Sequence, residues 1–109
     1  MKAFLEQIKD LIKSGNIRIS EHGYDELSDD DIYISDVLNG VTNSVIVEYY
    51  PEYPKGKCIL VLQKDGKGQP IHVLWGIPAK HEKPDVLVTA YRPDPERWNS
   101  EFTKRNENP

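Results

Sequence analysis

One cysteine, one methionine and two phenylalanines in 109 residues leave this sequence with few of the devices that fix small domains. The lone Cys58 lies between Lys57 and an aliphatic run. It excludes a disulfide frame within the chain and reads as a small reduced hydrophobe. The three histidines are dispersed, with neither a Cys-x-x-Cys pair nor His-Glu-x-x-His spacing, so neither a metal site nor any cofactor is expected. Long hydrophobic runs are missing too. The longest, Cys58 to Leu62, falls far short of the roughly 20 residues that a membrane helix needs. Met1 to Glu6 acquires charges at once and has no apolar stretch of the secretory kind. A cytoplasmic location and no membrane partner follow as expectations. Positive charge is also in deficit, with 14 Lys and Arg against 18 Asp and Glu. That balance opposes a broad electrostatic attraction to nucleic acid. The one glycine-rich segment, Asp65 to Pro70, lacks both the spacing and the following helix of a phosphate loop and reads as a hairpin turn.

What is present suits one compact domain over residues 1–109. Phe4, Leu5, Ile8, Leu11 and Ile12 recur at helical spacing, with Gly15-Asn16 as a stop. Ser20 can cap a second helix running to about Leu27, "SDDD" (Ser28 to Asp31) reads as a loop, and Ser35 can open a short third helix closed by Gly40. From Ser44 the pattern turns to strands at Val45–Tyr50, Cys58–Gln63, Ile71–Ile77 and Val86–Arg92, separated by short turn-rich segments. No helical pattern intervenes between them, so an antiparallel meander of about four strands is expected. The fold class is α+β, with N-terminal helices packed on one sheet. Trp98 and Phe102 in the polar tail predict a last helical turn docked by an aromatic, followed by a frayed end.

His72 interrupts an apolar strand. Strand side chains alternate, so Ile71, Val73, Trp75 and Ile77 should face the core under the first helix, and His72 should stand on the open face. The same parity puts Val45, Val47 and Tyr49 opposite Ile46, Glu48 and Tyr50. It also puts Val86, Val88 and Ala90 opposite Leu87, Thr89 and Tyr91. Glu48, His72 and Tyr91 then share one face, provided that no bulge intervenes. Taken singly, each could simply top a half-wet sheet. His22 begins the second helix, where a capping role is the plain alternative, and His81 reads as exposed in a Lys-Pro-rich loop.

Several fragments together resemble a small bacterial family of unknown function that is similar to the RelE and BrnT ribonuclease toxins of type II toxin–antitoxin systems. They are Ile19-Ser20-x-His22, Ile34-Ser35-Asp36-Val37, Val47-Glu48-x-Tyr50-Pro51, Pro70-Ile71-His72-Val73 and Thr89-Ala90-Tyr91-Arg92-Pro93-Asp94 with Trp98. The likeness covers roughly residues 17 to 98. It implies a RelE-like fold, an RNA-facing surface, an mRNA interferase-like activity, an antitoxin protein as partner, and a homodimer as an admissible assembly. One departure stands out. Where such sequences carry an arginine four to five residues beyond the first histidine, Glu26 and Leu27 stand here, which puts one phosphate contact in question.

Metal-free RNA cleavage requires a base for the 2′-hydroxyl, an acid for the departing 5′-oxygen and a cation at the phosphate. His22 and His72 fit the first two roles, with Glu48 and Tyr91 completing the candidate catalytic set. Arg18 and Arg92 are the candidate cations, and Trp98 joins them as a candidate substrate contact. The competing class is a non-catalytic protein- or peptide-binding module of the same fold. The acidity, the missing arginine and tyrosines such as Tyr50 and Tyr53 favour it.

Overall fold

The computed structural model describes residues 1–107. Helix α1, Lys2–Lys13, buries Phe4, Leu5 and Ile8, with Leu11 and Ile12 packed half-buried beside them. This is the stripe that the 3.6-residue period dictates. The rest follows as β1 (Ile17–Ile19), α2 (Glu21–Asp29), α3 (Ile34–Gly40), a 3-10 turn (Val41–Asn43), β2 (Val45–Tyr50), β3 (Cys58–Lys64), β4 (Pro70–Gly76) and β5 (Asp85–Tyr91). The sheet order is β1-β5-β4-β3-β2. Strands β2 to β5 form the expected antiparallel meander.

Two features depart from expectation. The sheet is mixed and has five strands, because β1 pairs in parallel with β5, Ile17 opposite Asp85 and Ile19 opposite Leu87. Three residues are too few to show a period of two, so only the partner strand reveals this one. Bulges also reset the parity twice. At Val47 the irregularity turns Ile46 and Tyr49 toward the core and leaves Val45, Glu48 and Tyr50 outside. Between Thr89 and Leu87 the same device puts Leu87 and Ala90 in the core, with Val86 and Val88 outside. A bulge adds one residue to one strand, which shifts every side chain beyond it to the other face.

Smaller corrections concern the ends of elements. Helix α2 continues through Ser28 and Asp29, so half of "SDDD" is helical. Tyr33 precedes α3, and Ser35 lies within it. The tail forms turns and an isolated bridge, Trp98 to Arg105, in place of a helical turn. The frayed end expected last falls at residues 108–109, outside those described.

The core lies between the helices and the inner sheet face, where Ile59, Val61, Ile71, Val73 and Trp75 are fully buried beside Ile8, Leu27 and Val37. Full burial of such a side chain is worth about 1.5–3 kcal/mol. Its one buried amide is satisfied: Gln63 Nε2 donates to the Val37 carbonyl at 2.8 Å, and Trp75 Nε1 donates to Gln63 Oε1 at 3.1 Å. Asp85 differs. Its side chain is fully buried, neither carboxylate oxygen has a hydrogen-bond partner, and burial pushes its carboxyl up to about 8.

Candidate functional site

The outer sheet face divides into a covered half and an open half. In the covered half Glu48, His72 and Tyr91 do share a face, and Tyr91 lies directly opposite His72. The tail seals them. His72 is fully buried, with Trp98 set edge-on against its ring at 4.4 Å and Tyr91 at 5.3 Å. A carbonyl can only accept, so His72 Nε2–H donates to the Phe102 oxygen at 2.8 Å, and Nδ1 is left to accept from the Tyr91 hydroxyl at 3.2 Å. Burial lowers the His72 pKa below its usual value and raises that of Tyr91.

Arg105 locks this cover. Its guanidinium grips Glu48 bidentately at 2.8 and 3.0 Å and lies 4.7 Å over the Trp98 ring. The Arg105 bond holds Glu48 below the usual carboxylate range. Tyr50, which donates to the same carboxylate, is pushed up to about 12 by burial and by that bond. Every candidate in this half is therefore engaged. His72 keeps the outer face that alternation predicts, but that face is covered there, and the ring is buried with both nitrogens hydrogen-bonded. Trp98, 4% exposed, packs into the cover against His72 and Arg105.

Arg92 is also committed elsewhere. Its Nη1 pairs with Asp65 at 3.0 Å, its Nε donates to the Asp30 carbonyl at 3.2 Å, and its backbone N–H donates to the Asp30 carboxylate at 2.8 Å. It clamps the end of α2, the β3–β4 turn and the end of β5 together.

The open half begins about three residues away. Ser20 N–H donates to the Leu87 carbonyl at 3.1 Å, and Ser20 Oγ donates to the Val88 carbonyl at 2.9 Å while accepting from Gly23 N–H at 2.9 Å. This cap seats α2 against β5. Gly23 permits the approach, since a Cβ there would meet the Leu87 oxygen at 2.8 Å. His22 consequently projects beside β5 near Val88, and its side chain is 65% exposed with Nε2 3.5 Å from Glu26. Neither His72 nor Tyr91 lines the groove that holds His22. The two histidines do not converge.

Around His22 lies a groove of about 370 Å³. Its floor is apolar, from Cys58, Gly76, Val86 and Val88, and its rim carries Arg18, Lys55 and Tyr53. No carboxylate lines it, although 18 of the 109 residues are acidic. Among the described residues, neither Arg18 nor Lys55 has an ion-pair partner within 4 Å. Arg18 and His22 of the candidate set thus meet here, joined by Lys55, which the sequence reading missed. Its trace in the sequence is the turn Pro51 to Lys57, which places Tyr53, Lys55 and Lys57 at every second position. Arg105 was missed too, because a single arginine in an unpatterned tail carries no signal. Among the described residues no group of three or more His, Cys, Asp or Glu is placed to hold a metal ion, and no helix is long and apolar enough to cross a membrane.

A family model described as "Domain of unknown function (DUF4258)" matches residues 19–92. The chain belongs to that family. The match takes in the last residue of β1, both following helices and strands β2 to β5, and so both His22 and His72, but it excludes Arg18 and stops short of the tail that covers His72. No curated protein and no solved structure matches this DUF4258 chain.

Proposed function

We propose that this DUF4258 domain is an endoribonuclease of the toxin type, working without metal, whose RNA site is the groove around Arg18, His22 and Lys55. The single observation that carries this reading is a groove whose lining holds an imidazole, with Glu26 beside it, and two cations that have no ion-pair partner among the described residues, in a chain of net charge −4. Segregated charge of this kind is what an acidic protein needs in order to hold a polyanion. The motif likeness to RelE and BrnT toxins supplies the type of reaction. It also suggests a RelE-like fold, a cytoplasmic setting, an antitoxin that masks the groove, and a homodimer as an alternative assembly.

In this reading His22, which lies beside Glu26, takes the 2′-hydroxyl proton as that oxygen bonds to phosphorus, the P–O5′ bond breaks to leave a 2′,3′-cyclic phosphate, the departing 5′-oxygen takes its proton from water, and Arg18 and Lys55 offset the charge that develops on the phosphate. The test is cleavage of labelled single-stranded RNA in chelator by the partner-free protein. His22→Ala should lower the rate by about a hundredfold or more. His72→Gln should leave the rate per folded molecule unchanged. Loss of cleavage in His72→Gln with His22→Ala fully active would refute the placement.

One observation favours a second reading, a non-catalytic binding module. Sealing of His72 leaves His22 as the single imidazole in the groove, and proton transfer at both oxygens calls for an acid as well as a base. A module would bind RNA or an acidic peptide and cut nothing.

A further inference from the structure

A second depression, of about 240 Å³, adjoins the groove and shares four of its walls: Tyr53, Gly56, Ile77 and Pro78. The dividing saddle is held by backbone hydrogen bonds. Gly56 N–H donates to the Tyr53 carbonyl at 2.9 Å, Ile77 N–H to Lys57 at 3.1 Å, and Ala79 N–H to Lys55 at 2.9 Å. Gly56, at φ 132°, lets the loop pass so close to Ile77 that any Cβ would collide with the Ile77 carbonyl.

Beyond the saddle the depression is lined by Lys57, Lys80 and His81, again without a carboxylate. Lys57 and Lys80, like Arg18 and Lys55, have no ion-pair partner within 4 Å among the described residues. Other depressions on the surface lack this selectivity: one is lined by Asp36 and Asp65, another by Glu6, Asp10 and Glu82. The two grooves share these walls and thus form one track whose lining includes no carboxylate residue, Glu26 lying behind the His22 ring at 3.5 Å, with the half-exposed Tyr53 ring at its middle.

We propose that this track is a two-subsite path for single-stranded RNA, in which Lys57, Lys80 and His81 hold phosphate beyond the saddle and Tyr53 stacks the base between the two cationic stations. The ligand is then an oligonucleotide and not a mononucleotide. The alternation of cation, aromatic ring and cation fits a strand whose charges alternate with flat bases, which is how sequence-tolerant single-strand binders work. An acidic peptide has no base for the ring. This inference rests on the reading of the first groove as an RNA site, and its test separates the two.

The experiment is fluorescence anisotropy with a labelled ten-residue oligouridylate across a salt series, in chelator and with the His22→Ala protein so that the probe stays intact. Lys80 offers a variant that spares the fold: it sits at φ 66°, where glycine is the easier residue, so Lys80→Gly should not lower the thermal midpoint. Combined with Lys57→Gln, it should weaken binding by tenfold or more and flatten the log–log salt slope by about 0.7 for each lost phosphate contact. Tyr53→Ala should weaken binding by about fivefold or more. If these variants bind as tightly as the parent with the same slope while Arg18→Glu binds poorly, the track ends at the first groove and this inference falls, whereas the first reading stands. If the parent fails to bind the probe even at low salt, both fall. Displacement of the probe by a decaglutamate as readily as by unlabelled RNA would overturn the assignment to nucleic acid.

Discussion

Along β4 and β5 the outer face changes character within a few residues. At His72 and Tyr91 each polar side chain has a protein partner: imidazole to the Phe102 carbonyl and the Tyr91 hydroxyl, Glu48 to Arg105 and Tyr50. At Gly76 and Val86 the floor is apolar, and the cations above it, Arg18 and Lys55, have no ion-pair partner among the described residues. Both regions hold a histidine, an arginine and at least one tyrosine, so their residue inventories look alike. What separates them is whether the polar groups satisfy one another. A closed network stabilises and specifies packing, while unpaired charge at a groove is free to meet a ligand.

The largest expected effect tests whether partnership, more than burial, makes the covered half stable. Asp85 is as buried as His72 but has no partner. Its folded-state pKa of about 8 lies above the usual value of 3.8, so the folded chain keeps a proton that the unfolded chain releases. Stability should therefore fall as pH rises from about 4 through 8. Asp85→Asn should remove that decline, as read by urea unfolding at a series of pH values. A slope identical to wild type would show that Asp85 finds a partner in solution.

Next comes the cover itself. Trp98→Ala removes a buried aromatic from His72 and Arg105 and should cost about 3 kcal/mol or more in urea unfolding. RNA affinity per folded molecule should stay within twofold, because the open half does not touch Trp98. A matched loss of affinity would erase the distinction between the halves.

A smaller effect concerns His72. Burial holds its folded pKa below the unfolded value of 6.5, so its contribution is complete above that pH and is lost as pH falls below it. His72→Gln should show a shallower loss of stability between pH 6.5 and 5 than wild type. The smallest effect belongs to the open half: Arg18→Glu should change stability by less than about 0.5 kcal/mol, the usual range for an exposed and unpaired side chain.

How much of this was legible beforehand depended on length and on pairing. Helix α1 and β4 are long enough for their periods to show, so the burial of Ile8, Val73 and Trp75 follows from spacing alone. The meander followed from short turns. Strand β1 did not, since three residues carry no period until β5 lies beside them. Parity put Glu48, His72 and Tyr91 on one face correctly, yet it could not say what covers that face. The cover is Trp98 to Arg105, a segment of turns whose order comes from Arg105 meeting Glu48 across 57 positions of chain. Local pattern contains nothing about a contact of that range. The contacts of Arg92 are hidden for the same reason: its partners Asp30 and Asp65 are distant in sequence.

The most direct test of the difference between the halves is to follow wild-type amide and side-chain resonances during titration with a short single-stranded RNA in chelator. The account predicts shifts at Arg18, His22, Tyr53 and Lys55, with the Trp98 indole and the His72 ring unmoved. Shifts centred on His72, Tyr91 and Trp98, with Arg18 and Lys55 silent, would contradict it and return the site to the covered half.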